Sequence, residues 1–305
     1  GGDTARLRED SVSVMVDFSS EALVSTQWLA DNLGAPDLRV VDASYYLPGE
    51  GLDPRHEFEA QHIPGAVFFD IDAIKDPVSE LPHMLPPPHI FSAKVRKLGL
   101  GDGLRLVIYD QRGIFSAPRA WWTFRYFGHD EVAVLDGGLP KWLNEGRPVE
   151  DGEARPEERH FTPRVNSVLL RDREQLLANL AGQADQVLDA RARARFEGKA
   201  PEPREGLRAG HIPASRNLPF TEIIDPETQT LLDDDALKQR FAAAGVDMRR
   251  PVATTCGSGV TAAILALGLH RLGHRDVAVY DGSWSEWGLP GDTPVEQGPA
   301  AVSQA

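Results

Sequence analysis

One cysteine in 305 residues, Cys256, leaves the chain unable to form an internal disulfide. A lone thiol suits a reducing compartment, and a cytoplasmic protein is the expectation. No apolar run approaches the roughly 18–20 residues that span a bilayer, which excludes a transmembrane helix. Positive charge is scarce as well: 32 Lys and Arg stand against 46 Asp and Glu, a formal net charge of −14. That balance argues against nucleic acid or an anionic membrane as partner. An anionic substrate would have to be drawn in by a local group of arginines, against the overall field. The nine histidines show neither an H-E-x-x-H pattern nor a Cys/His pairing, so neither a metal site nor a cofactor is expected. With 41% hydrophobic residues the composition is that of a globular protein, long enough for two domains. The opening "GGDTARLREDSVS" lacks a basic-then-apolar signal pattern and reads as a disordered leader.

What is present is a duplication. The early half reads "RVVDAS", "QHIPGAVFF", "LVIYDQRGIFSAPRAWW" and "VAVLDGGLPKW". The late half reads "QVLDAR", "GHIPASRNLPF", "PVATTCGSGVTAAIL" and "VAVYDGSWSEW" in the same order. The offset is nearly constant: 147 from Asp42 to Asp189, 149 from His62 to His211, 146 from Asp110 to Cys256, 145 from Trp142 to Trp287. Each half alternates short apolar runs, the mark of strands buried on both faces, with amphipathic stretches of helical length. "SAPRAWWTFRYFG" and "TAAILALGLHRLG" read as helices that stop at Gly128 and Gly273, the first with Pro118 near its start. The expected fold is α/β, two tandem domains, each a mainly parallel sheet with helices on both faces. Boundaries fall at 15–147 and 167–290, joined by a charged, proline-rich linker over 148–166 and followed by a flexible tail over 291–305. "GLGDG" at Gly99–Gly103 reads as a loop, and Trp121, Trp122, Trp284 and Trp287 as packing between helix and sheet.

Cys256 stands where a strand ends and a tight loop begins, the edge at which parallel α/β units bind ligands. In "CGSGVTA" two glycines and a serine let backbone N–H groups converge on one point, and the following helix adds its N-terminal partial charge. Such an environment favours the thiolate, and would also stabilise a persulfide anion one sulfur longer. The early half keeps the frame but has Asp110 in place of the cysteine and the bulkier "QRGIF" after it. One active and one degenerate copy is the pattern of a duplicated enzyme with a single site. A cysteine phosphatase would need an arginine closing the loop, and "CGSGVTA" has none.

These blocks, with "FFDID", "LPHMLP" and "PEPREGLRAGHIP", resemble the two-domain rhodanese-like sulfurtransferases from about Ser25 to Trp287. The resemblance implies sulfur transfer through a Cys256 persulfide, with 3-mercaptopyruvate as donor and a thiol, thioredoxin among the candidates, or cyanide as acceptor. Relatives that prefer thiosulfate carry two basic residues after the cysteine, where this chain has Gly257 and Ser258. The resemblance assigns Arg195 and Arg204 to the carboxylate and keto oxygens of the donor, a task suited to planar guanidinium groups. It counts Gly257, Gly259, Val260 and Thr261 as the cradle, and Ser258, His83 and Asp72 as a proton relay across the domains. Arg191 and Arg193 are read as structural or solvent-facing. His62 and His211 match each other across the repeat and are read as structural. The competing readings are a thiosulfate:cyanide sulfurtransferase and a non-catalytic interaction module.

Overall fold

The computed structural model describes residues 15–301. The leader, through residue 14, and residues 302–305 lie outside the described residues. Five short parallel strands form a sheet in each half. In the first domain they are β1 (Leu23–Val24), β2 (Leu38–Asp42), β3 (Val67–Phe68), β4 (Arg105–Tyr109) and β5 (Val132–Leu135). In the second they are β6 (Leu170–Arg171), β7 (Gln186–Asp189), β8 (Arg216–Asn217), β9 (Val252–Thr255) and β10 (Val277–Tyr280). The orders are β1-β5-β4-β2-β3 and β6-β10-β9-β7-β8, the same topology twice. The central strands are apolar along their length because helices cover both faces. β5, β7, β9 and β10 are buried at every position. The edge strands are two residues long, too short for any sequence period to reveal them.

The two expected helices form at Ala117–Tyr126 and Ala262–Arg271, and Gly128 and Gly273 follow them with φ of +89° and +88°. These helices pack against each other across the domain boundary, with Trp121 edge-on to His270 at 5.3 Å. A single apolar core runs through this contact, joining Trp121, Trp122 and Phe124 to Leu188, Ile264 and Leu267. Burial of so many large side chains, at about 25 cal/mol per Å² of apolar surface, makes the domains one packed unit. Trp284 and Trp287 are buried in a smaller cluster under the second sheet.

The linker and the described part of the tail are held against their domains. Neither hangs free: in the first domain the Trp142 indole donates to the Pro148 carbonyl, and His62 and Glu150 exchange backbone hydrogen bonds. Farther along, Phe161 is buried against Phe91 and Phe124. In the second domain the Trp287 indole donates to Pro294, and His211 and Glu296 exchange backbone bonds. Residues 294–296 are therefore held by this strap, because buried indole and amide donors need partners. "PVEDG" at 148–152 and "PVEQG" at 294–298 form a fifth matching block of the duplication, at an offset of 146.

Both matched histidines serve these straps. His62 Nδ1 donates to the Phe58 carbonyl and stacks on the Phe58 ring at 4.0 Å. His211 does the same with Phe196 at 3.8 Å.

Candidate functional site

The Cys256 loop leaves β9 and is pinned from behind. The amides of Trp284 and Ser285 donate to the carbonyls of Cys256 and Gly257, while Cys256 N–H donates to Ser283 Oγ. With its carbonyls held outward, the loop turns its N–H groups inward. Gly259 N–H donates to Cys256 Sγ at 3.0 Å. The N–H groups of Gly257, Ser258, Val260 and Thr261 have no protein acceptor among the described residues.

The first domain shows what such a loop is built to hold. Asp110 occupies the position of Cys256, and its carboxylate accepts from the N–H groups of Arg112, Phe115, Ser116 and Ala117 at 2.9–3.0 Å. Burial pushes the Asp110 carboxyl pKa up, and these four amides pull against it. In one copy an acidic side chain fills the anion nest. In the other the nest is left for the thiol and whatever sulfur it carries.

Ser258 is buried beside the cysteine, and its Oγ hydrogen-bonds His83 Nε2 at 3.1 Å across the domain boundary. His83 is buried, with φ of +34°, and its ring sits edge-on to Tyr45 at 5.3 Å. Burial first, then the positive charges of Arg119 and Arg204, lower its pKa well below that of a free histidine. The imidazole is therefore neutral at physiological pH.

The expected third member does not close the relay. His83 Nδ1 is buried without a hydrogen-bond partner, and Asp72 makes no bond to it. Asp72 lies exposed in the turn after β3, where its own N–H is held by the Asp70 carboxylate. Desolvation and the Asp70 charge raise the Asp72 pKa. The structure joins Ser258 to His83 and leaves Asp72 at the rim.

Arg195 and Arg204 both face this region from the second domain. A Cβ added to Gly257 would lie 2.8 Å from Arg195 Nη2, so that guanidinium covers the residue after the cysteine. Arg195 is held there by Glu202 Oε2 at 2.7 Å from Nη2. Glu202 in turn accepts from Arg191, whose side chain is buried and also clamps Asp189 and the Gly210 carbonyl. Arg204 Nη2 donates to the Tyr45 hydroxyl at 3.1 Å. Arg193 is solvent-facing and pairs with Glu222. Among the described residues no group of His, Cys, Asp and Glu could hold a metal ion.

The rhodanese-like domain model matches residues 25–145 and again 172–289. The chain belongs to the rhodanese-like family. Among rhodanese-like relatives, the mouse 3-mercaptopyruvate sulfurtransferase is 46% identical over 272 residues, which cover 87% of this chain and 91% of that protein. The rat thiosulfate sulfurtransferase is 44% identical, covering 91% and 96%. The crystal structure of SseA from Escherichia coli, described as a 3-mercaptopyruvate sulfotransferase of rhodanese fold, superposes with a TM-score of 0.80 at 39% identity. That match covers 87% of this chain and 99% of the other.

Sequence reasoning overlooked Tyr45, Glu202, Arg119 and Asp281 in this rhodanese-like site. Glu202 had a signal, since "PEPREG" brings an acid beside Arg204 within reach of "RARARF". Tyr45 and Arg119 had none, because only the docking of one domain on the other brings them to the cysteine.

Proposed function

We propose that this protein is a sulfurtransferase that takes sulfur from 3-mercaptopyruvate, carries it as a Cys256 persulfide and releases pyruvate. The observation that carries this reading is the pair of nests, one filled by the Asp110 carboxylate and one in which Gly259 N–H meets Cys256 Sγ while the N–H groups of Gly257, Ser258, Val260 and Thr261 have no protein acceptor among the described residues. A lone pair of the thiolate attacks the donor sulfur and forms the S–S bond. The C–S pair departs to the methylene carbon as the enolate of pyruvate, and the proton of the donor thiol ends on that carbon. Ser258 and neutral His83, in mutual hydrogen bond, suit that proton's passage. Asp72 contributes charge at the rim without holding the imidazole. The inward N–H groups of Gly257, Gly259, Val260 and Thr261 stabilise the persulfide anion.

Donor choice follows from where positive charge sits. Gly257 and Ser258 leave the loop itself without charge, while Arg195 and Arg204 stand outside it, where the carboxylate of a longer donor would meet them. Names of 3-mercaptopyruvate and of thiosulfate enzymes occur among relatives of similar identity, 46% and 44%, so thiosulfate is the second reading. A comparison of kcat/KM for the two donors tests this, and a preference for thiosulfate refutes it. The acceptor is a thiol, thioredoxin among the candidates, or cyanide. We place the activity in the cytoplasm. No helix among the described residues is long and apolar enough to cross a membrane, and an Arabidopsis thaliana relative is named as mitochondrial. Mass spectrometry after exposure to 3-mercaptopyruvate should find one added sulfur, about 32 Da, on the Cys256 peptide. Turnover without that adduct would overturn the persulfide step.

A further inference from the structure

We propose that Arg119, paired with Asp281, is a positioning residue for sulfur transfer: from the first domain it fixes both the catalytic loop and the imidazole that serves it. The proposal rests on the sulfur-transfer reading above and adds two residues from outside the loop.

Arg119 lies one turn into the helix Ala117–Tyr126, and its side chain is 3% exposed. Nη1 donates to the Gly259 carbonyl at 3.0 Å, and Nη2 donates to the His83 carbonyl at 2.6 Å. Nη1 also lies 2.8 Å from Asp281 Oδ1, a close ion pair rather than a well-aligned hydrogen bond. The other oxygen of Asp281 accepts the N–H of Leu85 at 2.8 Å. One ion pair thus grips the loop once and the segment His83–Leu85 twice.

Each grip has a consequence. The Gly259 carbonyl belongs to the peptide whose N–H is that of Val260. A guanidinium on the oxygen draws density from the nitrogen and makes that N–H a stronger donor. Gly259 is held from both sides, since its own N–H is bonded to Cys256 Sγ. Its φ is +87°, and a Cβ there would meet the Asp281 carbonyl at 2.8 Å and Arg119 Nη1 at 2.9 Å. The clamp therefore needs glycine at this position for conformation and for space. His83 is in the left-handed region at φ +34°, which a residue with a side chain keeps only when its surroundings impose it. Arg119 on its carbonyl and Asp281 on the amide two residues later are those surroundings. The clamp bonds protein groups, and Arg195 and Arg204 are left to bind the donor.

Removing one charge alone would strand the other in the interior, so the informative variant removes both. Arg119→Met with Asp281→Asn is compared with Arg119→Lys and wild type, each checked for native circular dichroism and melting. Steady-state kinetics and single-turnover persulfide formation on Cys256 are then measured with 3-mercaptopyruvate. The expected result for the folded double variant is a kcat about 100-fold down with KM within about threefold, the split that marks a loss felt in the transition state. Arg119→Lys, which keeps the charge but not the fork, should recover part of that loss. A folded double variant whose kcat is within about threefold of wild type refutes the proposal, as does a loss confined to KM. Absence of the persulfide in wild type would instead overturn the parent reading.

Discussion

Gly257→Ala is a small change with a large expected effect on one donor. The backbone at 257 is outside the left-handed region, so alanine costs little in conformation. Its methyl group, however, would sit 2.8 Å from Arg195 Nη2, and one of the two must yield. The guanidinium is the movable partner, but it is tied to Glu202 through Nη2 and Nε at 2.7 and 3.2 Å. The Glu202 carboxylate is buried and held by Arg191, so Arg195 can yield only by loosening that pair and shifting its grip on the donor. Losing one charge-assisted hydrogen bond to a carboxylate is worth about 2 kcal/mol, or roughly 30-fold in affinity. We expect KM for 3-mercaptopyruvate to rise by about that factor, with little change for thiosulfate. The assay is steady-state kinetics with both donors on one preparation. A mercaptopyruvate KM within about twofold of wild type would show that Arg195 does not grip this donor from its present position. The same collision changes the meaning of a donor swap. Gly257→Arg with Ser258→Lys would supply loop charge for thiosulfate, but would also evict Arg195 and remove the hydroxyl that His83 engages.

Asp72→Asn should lower kcat by less than about fivefold while His83→Ala lowers it by about 100-fold or more, because only His83 is bonded to Ser258; equal losses in stopped-flow turnover would restore Asp72 to the relay. Burial pushes the Asp42 pKa up to about 6, so its protonated form is the one favoured by folding. That contribution is complete below the free-carboxyl pKa near 4 and is lost as pH rises through 6. Carbon-13 NMR should show one carboxyl titrating near pH 6 that vanishes in Asp42→Asn, and no such resonance would contradict the burial. Asp110→Ala should cost about 3 kcal/mol or more in urea unfolding, since four buried amides lose their acceptor, yet leave Cys256 persulfidation intact. Loss of persulfidation in folded Asp110→Ala protein would mean that the Asp110 loop also supports the Cys256 site. Ending the chain at residue 291 should lower Tm by several degrees, because the Trp287 indole and the His211 backbone lose Pro294 and Glu296. An unchanged Tm would mean that the strap adds nothing.

The sequence by itself determined the duplication, the parallel α/β fold and the place of the thiol. These rest on local or periodic signals: four-residue apolar strands, helices ended by Gly128 and Gly273, and a glycine-rich turn after a strand. It also marked Asp110 as the degenerate counterpart of Cys256, though not that its carboxylate would fill the nest. Only the tertiary structure decided what crosses the domain boundary. His83 meets Ser258 over 175 positions of chain, Arg119 meets Gly259 over 140, and Asp72, only 11 positions from His83, stays outside. No short-range pattern encodes such contacts, because they depend on how one buried helix face docks on another. The two straps at 148–150 and 294–296 were hidden for the same reason: a segment without periodicity shows its value only once the indoles beneath it need acceptors.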